Sequence, residues 1–304
     1  MSPLDGLIDS KSNAATAAEP MVLVADRPLN RGYRSVDVRQ LDYPVFAAMR
    51  LKELWTYRYA LKSAVISNLR RRYRRSSLGF SWSLINPLLT MLVLAFVFGT
   101  IFKQSYQAFS VYVFSALLPW NYISQTICQS TESIVTSEDS LKRVVLPKAF
   151  FPLVTVLTEL INFSLALCTF LVLGVFLSAK YSLALLAIPA ATALCGLLVF
   201  GLSLIMAIAT VYYRDLTHII GVVLQLVFYT IPVIYPVEVL PESVHKILIF
   251  NPFYHFVKLF RLCISDGVWP ATTDWLICAV VAIASVLISL ALLQKTEREL
   301  LFRL

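Results

Sequence analysis

The chain has 304 residues, of which 58% are hydrophobic and only 14% charged, and its mean hydropathy is +0.74. A water-soluble domain of this size does not need so much apolar surface and would aggregate with it. The surplus falls in runs long enough to cross about 30 Å of hydrocarbon, which takes about 20 helical residues each. The net charge of +8 does not indicate nucleic-acid binding, because the basic residues stand beside the apolar runs, where lipid phosphates account for them.

The first 83 residues precede any apolar run. Residues 1–44 mix Ala, Ser and Pro with charges of both signs and have no apolar core, which predicts a disordered cytoplasmic tail. Residues 45–83 begin with an amphipathic stretch that predicts one helix over Val45–Tyr73 in the membrane interface. A helix docked on a partner protein is the alternative, and both can hold. The apolar residues of the stretch are Leu51, Leu54, Trp55, Tyr59 and Leu61, and they alternate with Arg50, Lys52, Arg58 and Lys62.

A cluster of arginines closes this region, in the sequence RRRYRR. It stands directly before a hydrophobic run that continues to Phe102. Guanidinium groups are costly in hydrocarbon, so the cluster is expected to stay on the inner side while the run crosses. Its members are Arg70, Arg71, Arg72, Arg74 and Arg75.

The fold class predicted for residues 84–293 is an all-α membrane domain with six spans, followed by a cytoplasmic tail over 294–304. The spans are placed at about 84–102, 110–130, 150–178, 183–212, 217–235 and 275–293. The second span contains Pro119 and several polar residues, so it is expected to be kinked and to face protein rather than lipid. The fourth and fifth are separated at Arg214 and Asp215, a charged pair that would be unfavourable at mid-membrane.

Residues 236–274 are apolar enough to suggest a seventh span. However, Asn251-Pro252 interrupts them, and each half is too short to cross, so a re-entrant or interfacial hairpin is predicted between the fifth and sixth spans. Six spans with both termini inside also agree with the positive-inside rule. Of the 26 Lys and Arg residues, those left outside are Lys103, Lys180, Lys246, Lys258 and Arg261.

Several chemistries have no motif in this sequence. No catalytic constellation, metal-ligand spacing or CxxC pair occurs, and the five cysteines are interpreted as small buried hydrophobes. The P-loop motif Gly-x-x-x-x-Gly-Lys-Ser/Thr does not occur either, so uphill transport would need a partner or an ion gradient. Glu159, with Asn162 a turn later, is the carboxylate deep in a predicted span. Either it bonds to another helix or subunit, which is favoured, or it belongs to an ion pathway.

Three blocks of sequence resemble one family. They are RYRRSSLGFSWSLINP at 72–87, KRVVLPKAFFPL at 142–153, and YRDLTHI, IPVIYPVEVLP and FNPFYHFVKLFR within 213–261. Together they resemble the transmembrane permease subunit of ABC-type polysaccharide exporters, which serve O-antigen, teichoic acid and capsule. The resemblance covers roughly residues 45–300.

The resemblance implies a homodimer in the bacterial cytoplasmic (inner) membrane, with two copies of a separate ATPase subunit on the cytoplasmic side. ATP and Mg would be bound by that partner, and no cofactor by this chain. The cargo implied is a glycan on a polyprenyl diphosphate lipid, which is moved from the inner leaflet outward. Membrane lipids are the other partner implied.

The same resemblance suggests roles for particular residues. The segment 131–148 matches the position of a coupling helix that contacts the ATPase; a solvated loop is the alternative. Its charged residues are Glu132, Glu138, Asp139, Lys142 and Arg143. The arginine cluster would bind the cargo diphosphate, although lipid binding and orientation alone would account for it. Arg214 and Asp215 are expected to pair locally, with gating as the other interpretation.

Aromatic rings stack on the apolar faces of sugars, so a glycan conduit is expected to be rich in them and poor in fixed charge. Half or more of the available rings are expected to belong instead to packing or to the membrane interface. IPVIYPVEVLP and the hairpin are expected to form the outer gate. The conduit candidates are Trp82, Tyr112, Trp120, Tyr122, Tyr229, Tyr235, Phe253 and Tyr254.

Three other functions compete with polysaccharide export. A permease for a drug, haem or small lipid would share the architecture. A membrane-embedded enzyme would need clustered acids or histidines near the membrane surface, and the three histidines, His218, His245 and His255, are dispersed. A proton-coupled transporter would rest on Glu159 alone.

Overall fold

The structure is a computed structural model of the chain. It describes residues 23–24, 34–35, 43–73, 82–101, 103, 105–137, 146–177, 181–241, 243 and 248–303, and the chain divides into the units 1–41 and 42–304. In the first unit, β1 (Leu23–Val24) pairs antiparallel with β2 (Arg34–Ser35). The predicted disorder of residues 1–44 otherwise falls outside the described residues.

The described part of the second unit is helical, as the sequence predicts. Short 3₁₀ turns occur at Val135–Ser137, Leu183–Ala187 and Val237–Val239, and a π turn at Leu262–Asp266. The α-helices are α1 (Tyr43–Thr56), α2 (Arg58–Tyr73), α3 (Trp82–Ile101), α4 (Tyr106–Thr131), α5 (Phe150–Phe176), α6 (Ile188–Tyr212), α7 (Leu216–Thr230), α8 (Pro252–Arg261) and α9 (Thr272–Arg303).

Three described segments are long and apolar enough to cross a membrane: Phe150–Phe176, Leu183–Tyr212 and Thr272–Thr296. They correspond to the predicted third, fourth and sixth spans. The shorter segments Leu88–Ile101 and Leu216–Thr230 are also apolar helices, at the predicted first and fifth positions. The predicted second span is helical as α4, whose polar residues lower its hydropathy.

One predicted boundary is wrong. The fifth span was placed at 217–235, but α7 ends at Thr230. The residue before a proline disfavours helical backbone, and Ile231, which precedes Pro232, has extended dihedral angles (φ −97°, ψ 132°). At the other end of the chain, α9 continues through the predicted tail as far as Arg303. The break predicted at Asn251-Pro252 is confirmed as the start of α8, where the Asn251 side chain accepts a hydrogen bond from the Phe253 amide.

Helix α4 lies at the centre of the bundle. It packs against α3, α5, α6, α7 and α8, and most of its length is buried. Its Ser and Thr side chains are therefore largely within protein, where hydrogen-bond partners exist, instead of in lipid, where they do not. The prediction that the second span faces protein is confirmed.

The amphipathic stretch forms two helices joined at Tyr57, so the single helix predicted over Val45–Tyr73 is wrong. Arg50, assigned to the polar face, is also buried, between the Phe46 ring and the Glu53 carboxylate. Trp55, assigned to the apolar face, is 71% exposed on the surface of the bundle, where an aromatic residue at headgroup depth would lie.

These two helices attach to different parts of the bundle. Helix α1 packs on α9, where the Tyr43 hydroxyl donates a 2.6 Å hydrogen bond to the Leu287 carbonyl, and burial raises the pKa of that phenol. Helix α2 packs on α5. The pair therefore connects the last span to the third.

Helices α6 and α9 form the most extensive helix–helix contact in the described bundle. They approach most closely at Gly201, where an added Cβ would lie 2.5 Å from the Ser285 backbone carbon and 2.5 Å from its hydroxyl. Only a residue without a side chain allows two helix backbones to approach this closely.

We expect Gly201→Ala to destabilise the protein, because the methyl group would force α6 and α9 apart. Overpacking of this kind costs about 1–3 kcal/mol. Thermal unfolding in detergent or nanodiscs measures the loss. Gly196→Ala on the same helix is the control, since a Cβ there meets only the Tyr122 hydroxyl at 3.7 Å. Equal stability of the two variants would contradict the proposed contact.

Candidate transport groove and its anchoring charges

A groove of about 290 Å³ runs between α4 and α7. The two helices run in opposite directions along it, because Trp120 contacts Phe228 and Tyr112 bonds to the carbonyl of Tyr235. None of the described lining residues is charged. They are Leu117, Trp120, Asn121, Ser124, Gln125 and Cys128 from α4, and Gly221, Leu224, Gln225 and Phe228 from α7.

One end of the groove is aromatic. The Trp120 ring lies 6.0 Å from Phe228 and 6.0 Å from Phe253, measured between centroids, so α4, α7 and α8 meet there. Of the predicted conduit residues, the structure therefore brings Trp120 and Phe253 together. The Trp120 ring is itself only 4% exposed, so it closes this end of the groove and presents little of its face to a ligand.

Three amide side chains lie along the remainder of the groove. The side-chain amides of Asn121, Gln125 and Gln225 make no hydrogen bond with any residue that the structure describes. Each amide offers both donors and acceptors. The groove can therefore hydrogen-bond a neutral polar ligand without help from a charged group.

Sequence reasoning missed these amides. The signal was present, because Asn121, Ser124 and Gln125 recur three and four residues apart, which places them on one face of α4. On α7, Gln225 is a lone amide in an apolar helix, and its periodicity alone does not show that it faces α4. Phe228 was also missed, and only its contact with Trp120 shows its position.

The other predicted aromatic residues lie elsewhere. Tyr122 is buried and stacks on Phe163 at 5.1 Å, so it is a packing residue. Tyr229 is 62% exposed and does not line the groove. Tyr254 packs edge-on against His255, and Tyr235 donates to the Tyr229 carbonyl at 3.0 Å.

Trp82 begins α3, and its side chain lies outside the described residues. The interpretation that many of the candidate rings pack within the bundle is confirmed for Tyr122.

A second, polar pocket of about 340 Å³ lies between α2, α4 and α5. Arg71 and Arg72 line it together with Gln129, which follows Cys128 of the groove directly in the chain. Arg71 donates to the Asn68 amide oxygen at 2.7 Å. Arg70 is exposed on α2, and Arg74 and Arg75 lie outside the described residues.

Glu159 on α5 is the anchor of this pocket. Its carboxylate is buried and forms an ion pair with Arg72 of α2, and it also accepts a 3.3 Å hydrogen bond from Asn162. A carboxylate at this depth needs a cation or several donors to remain ionised. The interpretation of Glu159 as a helix-to-helix contact is therefore confirmed.

The predicted coupling segment is described only in part. Glu132 is exposed at the end of α4, while Ile134 and Lys148 are buried, so the described part rests against the bundle. A freely solvated loop would not bury these two residues. Glu138, Asp139, Lys142 and Arg143 lie outside the described residues.

Arg214 and Asp215 form the turn between α6 and α7. Both side chains are exposed, and no ion pair joins them among the described contacts, so the predicted local pair is absent. Their contribution to the turn comes from the main chain instead. The Asp215 carbonyl accepts from the amides of His218 and Ile219 at 3.0 and 3.1 Å.

A buried guanidinium fixes the loop after α7. Arg261 of α8 donates to the carbonyl of Pro232, to that of Val233 at 3.3 Å and to the Tyr112 hydroxyl at 2.9 Å. It also lies 4.1 Å above the Tyr112 ring, and Tyr112 itself donates to the Tyr235 carbonyl at 3.1 Å. The irregular loop 231–235, which has few hydrogen bonds of its own, is thus held by two side chains from other helices.

The opposite face of α8 is tied to α9. His255 Nδ1 lies 2.8 Å from the Asp274 carboxylate, and its Nε2 lies 2.9 Å from the Ile249 carbonyl. Lys258 lies 2.9 Å from the same carboxylate. Both ring nitrogens of His255 are therefore within hydrogen-bond distance of a partner.

A bundle of apolar helices around an uncharged polar groove, with its charges paired at the ends, defines a multi-pass membrane protein with the architecture of a transporter. The chain belongs to the ABC-2 type transporter family, because its residues 59–264 match the sequence pattern of that family. The resemblance stated from the sequence is thereby confirmed.

Similar proteins carry transport names. The O-antigen export system permease protein RfbA of Myxococcus xanthus is 31% identical over 235 residues, which cover 77% of this chain and 90% of that protein. The protein of the same name from Klebsiella pneumoniae is 28% identical over 214 residues, 67% of this chain and 80% of its own. The polysialic acid transport protein KpsM of Escherichia coli is 21% identical over 248 residues, 79% of this chain and 95% of its own.

We expect Arg72→Met to destabilise the protein, because it leaves the buried Glu159 carboxylate without its cation. The cost is on the order of 2 kcal/mol, since Arg72 is partly exposed and water replaces some of the loss. The double variant Arg72→Met/Glu159→Leu should recover most of the stability, because no charge remains buried. Chemical or thermal unfolding of all three proteins gives the coupling energy. Arg70→Met, on the exposed side of α2, is the control, and an equal effect there would contradict the pairing.

We expect Arg261→Met to loosen the loop 231–235, because the carbonyls of Pro232 and Val233 lose their donor. Hydrogen–deuterium exchange of the peptide that contains this loop should become faster. Lys258→Met removes a cation from the same helix but leaves these bonds intact, so the peptide should exchange there as in the wild type. Unchanged exchange in Arg261→Met would show that the loop is held by other contacts.

Proposed function

We propose that this chain is the transmembrane subunit of an ABC exporter that moves a polysaccharide, carried on a polyprenyl diphosphate, outward across the bacterial inner membrane. The observation that carries the proposal is the similarity to O-antigen export permeases, which extends over 77% of this chain and 90% of the most similar relative described above. The family match at residues 59–264 includes the groove and the Arg72–Glu159 pair.

The groove supports a glycan as cargo. Its lining combines the Trp120 and Phe228 rings with three unbonded amides and offers no described charge. Sugar chains present apolar ring faces and hydroxyl groups in alternation, so the two kinds of lining suit them together. A drug or haem permease would be expected to have a more continuous apolar lining.

The arginine-lined pocket supports a diphosphate at one end of the cargo. Arg71 and Arg72 line it together with Gln129, which follows Cys128 of the groove in the chain and so lies at the same level of α4. Guanidinium groups match the geometry of phosphate oxygens. Arg72 is already paired with Glu159. We therefore assign Arg71 and Arg70 to the binding of a phosphate headgroup, which belongs either to the cargo or to an anionic lipid.

The power for transport would come from a separate ATPase. No P-loop motif occurs in the 304 residues, and the family consists of transporters. We propose a homodimer with two ATPase subunits, which bind ATP and Mg on the cytoplasmic side, where both termini lie. The segment 131–148, carried by the end of α4, would contact the ATPase and transmit its movement to the groove by rigid-body motion.

The direct test is deletion of the gene in its natural host. We expect the surface polysaccharide to disappear and lipid-linked glycan to accumulate inside the cytoplasmic membrane, because synthesis continues without export. Immunoblots of the cell surface and mass spectrometry of extracted lipids measure the two pools. Normal surface polysaccharide in the deletion strain, with no change when the cloned gene is returned, would contradict the proposal.

Trp120→Ala should lower export several-fold while insertion into the membrane stays normal, because the groove loses the buried ring that closes its aromatic end. Pulse-labelling of surface glycan in the complemented strain gives the rate. Trp269→Ala is the matched control, since that side chain is 59% exposed in the loop before α9. Equal export in both variants would assign Trp120 to packing.

A further inference from the structure

The distribution of charge along the groove is uneven. No described lining residue between Leu117 and Cys128 of α4, or between Gly221 and Phe228 of α7, carries a charge. Cationic side chains occur toward one end of the two helices that form the groove. Gln129 lines the pocket that contains Arg71 and Arg72, and on the antiparallel helix Arg214 precedes the groove.

An uncharged lining discriminates between sugar types. The hydroxyl groups of a neutral sugar both donate and accept, and the free amides of Asn121, Gln125 and Gln225 can satisfy them. The carboxylate of an acidic sugar requires a cation or several converging donors when it leaves water, because an unpaired charge is costly to desolvate. The described groove supplies no cation.

The volume of the groove limits how much of the cargo it holds. At about 290 Å³ it lies at the lower end of small-molecule pockets, which span roughly 300–1,000 Å³. Only a short stretch of the polymer occupies it at one time. Every repeat of a long chain must therefore pass the same uncharged lining, so a carboxylate in each repeat would meet the same penalty each time.

We propose that the groove between α4 and α7 is a subsite for neutral sugars, and that the polysaccharide this chain exports is uncharged along its length, with its negative charge confined to the end held by the arginines. This inference rests on the proposed function and names its substrate class. It separates this chain from a transporter of a polyanion such as polysialic acid, although a relative of that name is similar in sequence.

The first test uses Cys128 as a natural reporter, because it lines the groove and is partly exposed. The purified exporter in nanodiscs is labelled with a maleimide, and the rate at Cys128 is followed by mass spectrometry. Maltoheptaose serves as the neutral probe and oligogalacturonate of equal length as the acidic one. Cys168, which is exposed and distant in sequence, gives an internal reference in the same sample.

We expect maltoheptaose to slow labelling of Cys128 several-fold and oligogalacturonate to leave it unchanged, with Cys168 unaffected by either. Equal protection by both probes would overturn neutral specificity while leaving polysaccharide export intact. Protection by neither would remove the groove as a sugar subsite.

A variant that introduces a positive charge into the groove tests the same specificity. Gln225→Lys should allow oligogalacturonate to protect Cys128, because the groove then contains a cation. Gln107→Lys, the same change in the exposed first turn of α4, is the matched control and should leave the preference for maltoheptaose unchanged. A preference that is the same in Gln225→Lys and the wild type would contradict the proposal.

The second test is chemical analysis of the glycan that is lost from the surface when the gene is deleted. We expect no uronic or sialic acid in its repeat. An acidic sugar in every repeat would overturn neutral specificity, whereas the loss of any glycan at all already supports export. The failure of this inference is thereby distinguished from a failure of the proposed function.

Discussion

The constraint on which this structure depends is that a charged group in or near hydrocarbon must be paired within the protein. Glu159 is paired with Arg72 and Asn162, and Asp274 is paired with His255 and Lys258. The pairings with Arg72, His255 and Lys258 each join two different helices. The charged groups of the bundle therefore also determine which helices are tied together and where.

The helices of the bundle differ in how many side-chain contacts hold them to their neighbours. Helix α8 is fastened to α9 through Asp274 and to α4 through Arg261, so it is expected to move with both. Helix α7 has a single buried side chain, Leu224, and its surface is otherwise largely exposed. Of the two walls of the groove, α4 is central and fixed, while α7 has the fewer contacts to break. Opening of the groove would therefore involve α7 and the loop that Arg261 holds.

The polar groups of the groove contrast with these pairs. Asn121, Gln125 and Gln225 have no bonds to the described protein, in a bundle where other polar side chains bond to the main chain of their own helix. Gln125 and Gln225 are exposed and Asn121 is partly exposed, so their donors and acceptors are available to water or to a ligand. Their collection on facing sides of α4 and α7 is the physical reason to regard the groove as the path of a polar cargo.

The sequence predicted the local properties of the chain well. The third and fourth spans, the break at Asn251-Pro252 and the protein-facing second span follow from hydropathy, proline geometry and polar content, which are read from neighbouring residues. The fifth span was placed too long because hydropathy does not register the backbone restriction before Pro232. Arg50 was assigned to a polar face because periodicity gives no information about a cation buried against Phe46 and Glu53.

What the sequence alone determined is that this is a helical membrane protein, that its arginines stand beside the first apolar run, and that its family is recognisable from three blocks. Only the tertiary structure decided that Arg72 meets Glu159, 87 positions away, and that Arg261 meets Tyr112, 149 positions away. It also decided that amides from two helices face one groove. Burial and orientation in a membrane are sums over neighbouring residues, whereas contacts between helices depend on their relative rotation and register, which no single helix encodes.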